Sequence, residues 1–165
     1  MRPGQLQKAG EGSPLGRRAK AETSLEIVTH SAAETIECGR MLARQLAAPC
    51  LVLLQGDLGS GKTTLTKGIV SGLRLAQEDE VTSPSFALVH EYGREKKAYH
   101  VDLYRIEGPQ ELTTLGLEEL FAQPAVVVVE WGEKLGKYGA RAQFRIKMEY
   151  LASDDRKITV ERLVS

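Results

Sequence analysis

A glycine-rich segment directly follows an apolar run, and this pair of features most constrains how the 165-residue chain can fold. The run is Cys-Leu-Val-Leu-Leu-Gln at residues 50–55, which is typical of a strand buried on both faces of a sheet. Residues 56–63, Gly-Asp-Leu-Gly-Ser-Gly-Lys-Thr, fit the pattern G-x-x-x-x-G-K-[ST] at every fixed position. Leu65, Ile69 and Leu73 then recur at helical spacing. A strand, a glycine-rich turn and a helix in this order predict an α/β fold built around a phosphate-binding loop.

The residue types of this loop suit a nucleotide phosphate. Glycines let backbone N–H groups approach phosphate oxygens without side-chain clashes, and the N-terminus of the following helix attracts anions. Lys62 supplies a charge for the β- and γ-phosphates, and the Thr63 hydroxyl can coordinate Mg²⁺. A chance match in a flexible turn is the competing interpretation, which background frequencies allow in fewer than about one chain in a hundred. The predicted nucleotide-contacting residues are Gly56, Asp57, Leu58, Gly59, Ser60, Gly61, Lys62, Thr63 and Thr64.

The base is predicted to be adenine. Guanine-specific proteins with this loop read the base through an Asn-Lys-x-Asp segment, and the sequence contains no asparagine. ATP is therefore favoured over GTP as the ligand.

Two carboxylates are candidates for the metal side of the site. Asp102 follows Tyr-His-Val at residues 99–101, and Glu130 ends a Val-Val-Val-Val run at 126–129. Strands deliver such residues to the carboxyl edge of a sheet, where ligands of α/β proteins bind. A surface carboxylate at a strand end is the alternative for each residue. Which of the two would bind Mg²⁺ directly stays open at this point.

A hydroxyl-rich loop, Val-Thr-Ser-Pro-Ser-Phe at residues 81–86, precedes a predicted strand. In nucleotide switches such a loop offers a hydroxyl to the γ-phosphate or the metal, although a plain turn explains the composition equally well. Trp131 is the only tryptophan; core packing is the default interpretation, and its place beside Glu130 also fits a nucleotide-side or interface role. His90 and His100 fall inside strand patterns and are interpreted as structural histidines.

The rest of the chain predicts a single α/β domain over residues 25–165, with a mixed, mostly parallel sheet between two helical layers. A strand at 25–29 precedes a helix that starts at Ser31 with Glu34 in a capping box. Pro109 is predicted to open a further helix, followed by a buried strand at 125–129. Antiparallel hairpins are predicted at 86–92 with 98–104, and at 144–150 with the strand around Ile158 and Val160.

Charge and composition limit the classes of binding partner that are expected. The chain has 22 basic and 22 acidic residues, so its formal net charge is zero. Residues 1–24 hold 5 basic and 2 acidic residues, or +3, with few large apolar side chains, and are predicted to be a disordered tail. The remaining 17 basic and 20 acidic residues give −3, which argues against direct electrostatic binding of nucleic acid.

Neither a disulfide framework nor a membrane anchor is expected. Cys38 and Cys50 are predicted to be buried free thiols, and no apolar stretch approaches the ~20 residues of a membrane helix. No signal-peptide pattern is present at the N-terminus. A cytoplasmic protein is therefore expected, with neither membrane nor DNA as a partner.

Several motifs together resemble one family. The nine residues from Gly56 to Thr64, Val81–Phe86, His100–Arg105 (His-Val-Asp-Leu-Tyr-Arg), Leu115–Glu119 (Leu-Gly-Leu-Glu-Glu) and Glu130-Trp131 occur in the order typical of the bacterial TsaE (YjeE) family of small P-loop ATPases. The resemblance runs from about Leu25 to the C-terminus. Gly132 stands where the family often has proline, and Ser85 stands where threonine is common. Both departures affect local turn geometry more than chemistry.

The resemblance implies an accessory role in forming N6-threonylcarbamoyladenosine on tRNAs that read codons beginning with adenine. ATP hydrolysis with Mg²⁺ would support a TsaB–TsaD transferase, which would be the component that handles tRNA. The implied catalytic residues are Lys62, Asp102 and Glu130, and the implied metal ligands are Thr63, Glu130 and Asp102, the last directly or through water. The implied nucleotide contacts outside the loop are Thr82, Ser85, Ala33 and Arg156.

Two other functions use the same loop. A small-molecule or nucleoside kinase would carry an arginine-bearing lid, whereas no long insertion follows the predicted P-loop helix and the arginines are scattered. A nucleotide-gated binding module, in which hydrolysis matters little, would be supported if ATP binding alone restored function.

Overall fold

The computed structural model describes residues 20–84 and 88–164. Seven strands are present in these ranges: β1 Lys20–Thr29, β2 Cys50–Gln55, β3 Val89–Gly93, β4 Lys97–Asp102, β5 Ala125–Glu130, β6 Phe144–Tyr150 and β7 Arg156–Val164. They form one sheet in the order β1-β7-β6-β2-β5-β4-β3. The four central strands β6, β2, β5 and β4 pair in parallel, and the outer pairs are antiparallel. The predicted mixed sheet is confirmed, with parallel pairing confined to its centre.

Helices cover both faces of this sheet. The α-helices in the described ranges are α1 Ala32–Ala43, α2 Lys62–Gly72, α3 Pro109–Thr113 and α4 Leu117–Phe121. Helices α1 and α2 pack over one face, where apolar side chains such as Leu65 and Ile69 meet those of β2, β5 and β6. Helices α3 and α4 and a 3₁₀ segment at Gly132–Arg141 cover the other face. The predicted three-layer α/β/α architecture is therefore confirmed.

Helix α1 starts where its capping residues predict. The Ser31 side chain accepts the Glu34 backbone N–H at 3.1 Å. The Glu34 carboxylate in turn accepts the backbone N–H of His30 at 2.7 Å, one residue before the expected partner. These bonds satisfy N–H groups that the first helical turn would otherwise leave unpaired.

Helices α1 and α2 approach closely because glycines lie at their contact. A Cβ placed on Gly68 would lie 2.0 Å from the carbonyl oxygen of Ile36, and one on Gly39 would lie 2.4 Å from that of Leu65. Neither position has room for a methyl group against backbone atoms. Close packing against α1 therefore fixes the position of α2 and of the loop that precedes it.

The structure differs from the predicted elements at several boundaries. Strand β1 begins at Lys20, so residues 20–24, assigned above to the tail, pair with the end of β7 instead. Backbone hydrogen bonding extends this edge strand even though the side chains of residues 21–24 are exposed and mostly polar. Residues 1–19 lie outside the described ranges.

Two further boundaries follow from local backbone bonding. Strand β4 ends at Asp102 rather than Tyr104, because an Asp102 carboxylate oxygen accepts the Tyr104 backbone N–H at 2.9 Å and turns the chain. The single helix predicted from Pro109 is instead two short helices, α3 and α4, separated at Gly116, whose φ of +64° favours glycine. Within the described residues no helix combines the length and apolarity needed to cross a membrane.

Candidate nucleotide-binding site

The loop between β2 and α2 has the backbone that its glycines predict. Gly56, Gly59 and Gly61 have positive φ angles of 154°, 80° and 101°. A Cβ on Gly56 would lie 2.5 Å from the Met148 carbonyl oxygen, so no larger residue fits there without displacing β6. Gly61 is the N-cap of α2, which places the free N–H groups of the helix at the end of the loop.

Lys62 lies inside the curve of this loop and is only 6% exposed. Its Nζ donates to the carbonyl oxygens of Gly56 at 2.6 Å and Asp57 at 2.9 Å. Burial lowers the pKa of Lys62 below its ordinary value, although nearby carboxylates, Glu130 foremost, act in the opposite direction. The site thus holds an ammonium group whose charge is poorly solvated and available to an anion.

The two predicted carboxylates lie side by side at the edge of the sheet next to the loop. Asp102 of β4 and Glu130 of β5 are register partners, and Glu130 also pairs with Leu54 of β2. Parallel pairing of β2, β5 and β4 carries their carboxyl ends to the same edge. The structure therefore brings both candidates together with the loop, as the sequence analysis predicts.

Glu130 contacts the first turn of α2 directly. The Thr63 hydroxyl donates to Glu130 Oε1 at 2.7 Å, and His100 Nε2 lies 3.3 Å from Oε2. Burial raises the pKa of Glu130, but its contacts with His100, Thr63 and Asp102 outweigh burial and hold the pKa below the ordinary value. A buried carboxylate of lowered pKa is ionised at neutral pH, as a cation ligand must be.

Asp102 is held by the loop that precedes β3. Ser83 Oγ donates to Asp102 Oδ2 at 2.8 Å, and the Tyr104 N–H occupies Oδ1. Ser83 is the hydroxyl of this loop that contacts the carboxylate. Of the two expected nucleotide contacts in the loop, Thr82 is exposed and Ser85 lies outside the described residues, and both stay predictions.

An aromatic pair borders the same space. The rings of Trp131 and Tyr104 have centroids 5.2 Å apart, and Lys62 Nζ lies 4.4 Å from the Trp131 ring. Lys134 donates to the carbonyl oxygens of Tyr104 at 2.7 Å and Ile106 at 3.1 Å, which ties the segment after β4 to the segment after β5. Trp131 therefore belongs to the site side of the molecule. Tyr104 was not selected from the sequence, because its position depends on the turn at Asp102.

These groups enclose a cavity of about 490 Å³. Its lining consists of Leu58, Gly59, Gly61, Lys62, Thr63, Thr64, Ser83, Asp102, Tyr104, Arg105, Glu130, Trp131 and Arg156. The predicted loop residues Gly56, Asp57 and Ser60 line an adjacent cavity of about 590 Å³ on the β6 side of the loop. The loop therefore has one of these two cavities on each side.

The remaining candidates lie near the loop to different degrees. Arg156 Nη2 donates to the Gly59 carbonyl oxygen at 3.3 Å, and its guanidinium stacks over Tyr150 at 4.7 Å. Ala33 is exposed in the first turn of α1 and is not among the residues that line either cavity. Its contact with the nucleotide stays a prediction.

A histidine–carboxylate contact joins the start of α1 to the turn before Arg156. His30 Nδ1 lies 2.9 Å from Asp155 Oδ1, and this hydrogen bond, with the Asp155 charge, raises the pKa of His30 above 6.5. Because the pKa of His30 is raised in the folded state, the contact stabilises the fold fully below the unfolded-state pKa, and this contribution is lost as pH rises through the folded-state pKa.

We expect an NMR titration of His30 to shift to a lower midpoint in Asp155→Asn. An unchanged midpoint would contradict the contact.

The donor set fits a magnesium nucleotide. Thr63, Glu130 and Asp102 offer one hydroxyl and two carboxylates, the hard oxygen ligands that Mg²⁺ prefers. In the described ranges no cluster of three or more His, Cys, Asp or Glu side chains could hold a metal alone.

The fold and this loop define a P-loop protein of the α/β class. A family model described as "Threonylcarbamoyl adenosine biosynthesis protein TsaE" matches residues 29–158, and the chain therefore belongs to the TsaE family. This confirms the family suggested by the sequence motifs.

Relatives agree with this assignment. The chain is 34% identical over 136 residues to a Treponema pallidum protein named tRNA threonylcarbamoyladenosine biosynthesis protein TsaE, covering 82% of this chain and 99% of that protein. A Nostoc protein of the same name is 41% identical over 106 residues, which is 61% of this chain and 64% of the relative. The crystal structure of Bacillus subtilis YdiB superposes with a TM-score of 0.68 at 29% identity, covering 90% of each chain.

Proposed function

We propose that this protein is a Mg²⁺-dependent ATPase of tRNA threonylcarbamoyladenosine biosynthesis that works with a TsaB–TsaD transferase in the cytoplasm. The family assignment supports the pathway. The observation that carries the ATPase proposal is the bond between Thr63 and Glu130, because it joins the P-loop helix to a buried carboxylate at the carboxyl edge of the sheet.

Each proposed role follows from a contact. The positive-φ loop and the start of α2 would hold the phosphate chain, and Lys62 would exchange its carbonyl partners for phosphate oxygens. Thr63 and Glu130 would hold Mg²⁺, with Asp102 beside them directly or through water. A bound magnesium ion would neutralise charge on the phosphates during transfer. Ser83 would couple the 81–84 segment to this carboxylate pair.

The partners would supply the contact with tRNA. The part of the chain from residue 25 onward has 17 basic and 20 acidic residues, a net −3 that does not attract a phosphate backbone. ATP turnover on this subunit would therefore act on the modification through protein contacts.

The pathway assignment is tested in cells depleted of the protein. We expect threonylcarbamoyladenosine in hydrolysed tRNA, measured by mass spectrometry, to disappear and to return when the wild-type gene is restored. Glu130→Gln should fail to restore it because the metal carboxylate is lost, whereas Glu118→Gln, an exposed carboxylate on α4, should restore it. Unchanged nucleoside levels after depletion would contradict the pathway.

The partner requirement is tested with purified proteins. Hydrolysis of ATP should be slow for the protein alone and faster with TsaB and TsaD present. Equal rates with and without them would contradict the proposed partnership. A phosphorylated small-molecule acceptor would instead support the kinase alternative.

A further inference from the structure

A buried histidine lies directly behind the proposed metal carboxylate. His100 is 0% exposed in the middle of β4, where its register partner is Val128 of β5. Because side chains alternate along a strand, His100 is on the same face as Asp102, two residues further on. The neighbouring core on that face is apolar and includes Ala98, Val126 and Val128.

The Glu130 carboxylate faces this imidazole. His100 Nε2 lies 3.3 Å from Glu130 Oε2, while neither ring nitrogen has a well-aligned hydrogen bond within the described residues. A buried polar group without a partner costs about 1–3 kcal/mol, so the ring is poorly explained as core filling. An aliphatic side chain would pack against Ala98 and Val128 without that cost.

The two oxygens of Glu130 have separate partners. Oε1 accepts from the Thr63 hydroxyl at 2.7 Å, and Oε2 faces His100. The chain Thr63–Glu130–His100 therefore crosses from α2 through β5 to β4. His100 therefore lies where it could limit rotation of the Glu130 carboxylate away from Thr63.

We propose that His100 is a positioning residue that orients Glu130 for the metal and the Thr63 hydroxyl. It acts through Glu130 and touches neither nucleotide nor metal, and the inference rests on the ATPase function proposed above. This replaces the purely structural role that its place in a strand pattern suggested. Partners behind metal ligands typically contribute a factor of about 10–100 in metal affinity or activity.

Two amide variants separate positioning from packing. His100→Gln places its amide nitrogen near the position of Nε2, within reach of Glu130, whereas His100→Asn is too short and places it near Nδ1. Both introduce a polar amide into the same apolar surroundings, so a role in packing alone predicts similar effects. Val52→Ala, a fully buried residue of β2 in the same core, serves as a control for general loss of stability.

The measurements are the calorimetric affinity for AMP-PNP with and without Mg²⁺, kcat and KM with the transferase partners, and Tm. We expect His100→Asn to reduce the Mg²⁺-dependent gain in affinity and kcat by about 10-fold or more, with metal-free affinity unchanged. His100→Gln should stay within about threefold of the wild type in both. Val52→Ala should lower Tm without changing the Mg²⁺-dependent gain.

The outcomes distinguish this inference from the proposed function. Equal defects in His100→Gln and His100→Asn, or normal Mg²⁺ dependence in His100→Asn, would overturn the positioning role while leaving the ATPase intact. Absence of Mg²⁺-dependent nucleotide binding in the wild-type protein would overturn both proposals. The role of His100 would be supported if His100→Asn lost much of the Mg²⁺-dependent gain in affinity while His100→Gln kept it, with the two variants having the same Tm.

Discussion

Replacing Lys62 by methionine is expected to reduce ATP hydrolysis by about 100- to 1,000-fold, the effect typical of removing one preorganised hydrogen-bond donor from an oxyanion site. Methionine keeps much of the length of the Lys62 side chain but removes the ammonium, which now donates to the Gly56 and Asp57 carbonyl oxygens and lies over the Trp131 ring. Nucleotide affinity, measured by calorimetry, should fall together with turnover, because the ammonium is proposed to contact ground-state phosphates as well.

The controls for this variant are its stability and a neighbouring lysine. Lys67, also on α2, is not among the residues that line either cavity, so Lys67→Met should hydrolyse ATP at the wild-type rate. Thermal unfolding should show Lys62→Met folded, since the buried apolar residues of α2, Leu65, Ile69 and Val70, are unchanged. Turnover within a few-fold of the wild type in a folded Lys62→Met protein would remove Lys62 from the proposed mechanism.

Replacing Gly68 by alanine is expected to destabilise the fold by about 2 kcal/mol or more. The added Cβ would lie 2.0 Å from the Ile36 carbonyl oxygen and 2.8 Å from its carbonyl carbon, so α1 and α2 must separate. The helix preference for alanine offsets up to about 1 kcal/mol of this cost. For a domain of this size, the Tm measured by calorimetry should fall by about 4–8 °C.

Gly139→Ala is the matched control for that variant. Its added Cβ would make an ordinary contact with Leu53 at 3.5 Å, so we expect a change in unfolding free energy within about 0.5 kcal/mol. If Gly68→Ala were as stable as Gly139→Ala, the close helix contact would not exist in solution. A displaced α2 should also weaken nucleotide binding, because the helix starts at the loop.

The elements around the site could be predicted from local sequence. The apolar runs at 50–55 and 126–129 predict buried strands, and the glycines and lysine of residues 56–63 predict the loop between β2 and α2. The pairing of Ser31 with Glu34 predicts the start of α1. These features depend on the chemistry of a few neighbouring residues, so one sequence is sufficient to recognise them.

The contacts that refine the site depend on strand register, which local patterns do not encode. In the sequence, His100 resembles any other residue of a strand. Only the pairing of Asp102 with Glu130 shows that its ring lies behind the Glu130 carboxylate. Ser83 and Thr82 are equivalent hydroxyls in the sequence, and only the path of the loop selects Ser83 for Asp102. Likewise, backbone pairing with β7 decides that β1 starts at Lys20, although its side chains there resemble those of a tail.

The antiparallel pairing of β1 with β7 has a practical consequence for experiments. Lys20 and Val164 are partners in this pairing, whereas Arg156, at the opposite end of β7, contacts the P-loop. Lys20 and Val164 therefore lie at the end of the β1–β7 pair away from that contact. A fluorophore attached at the exposed Val164 side chain would sit at this far end, so surface immobilisation through it should leave the nucleotide cavity open to ligands.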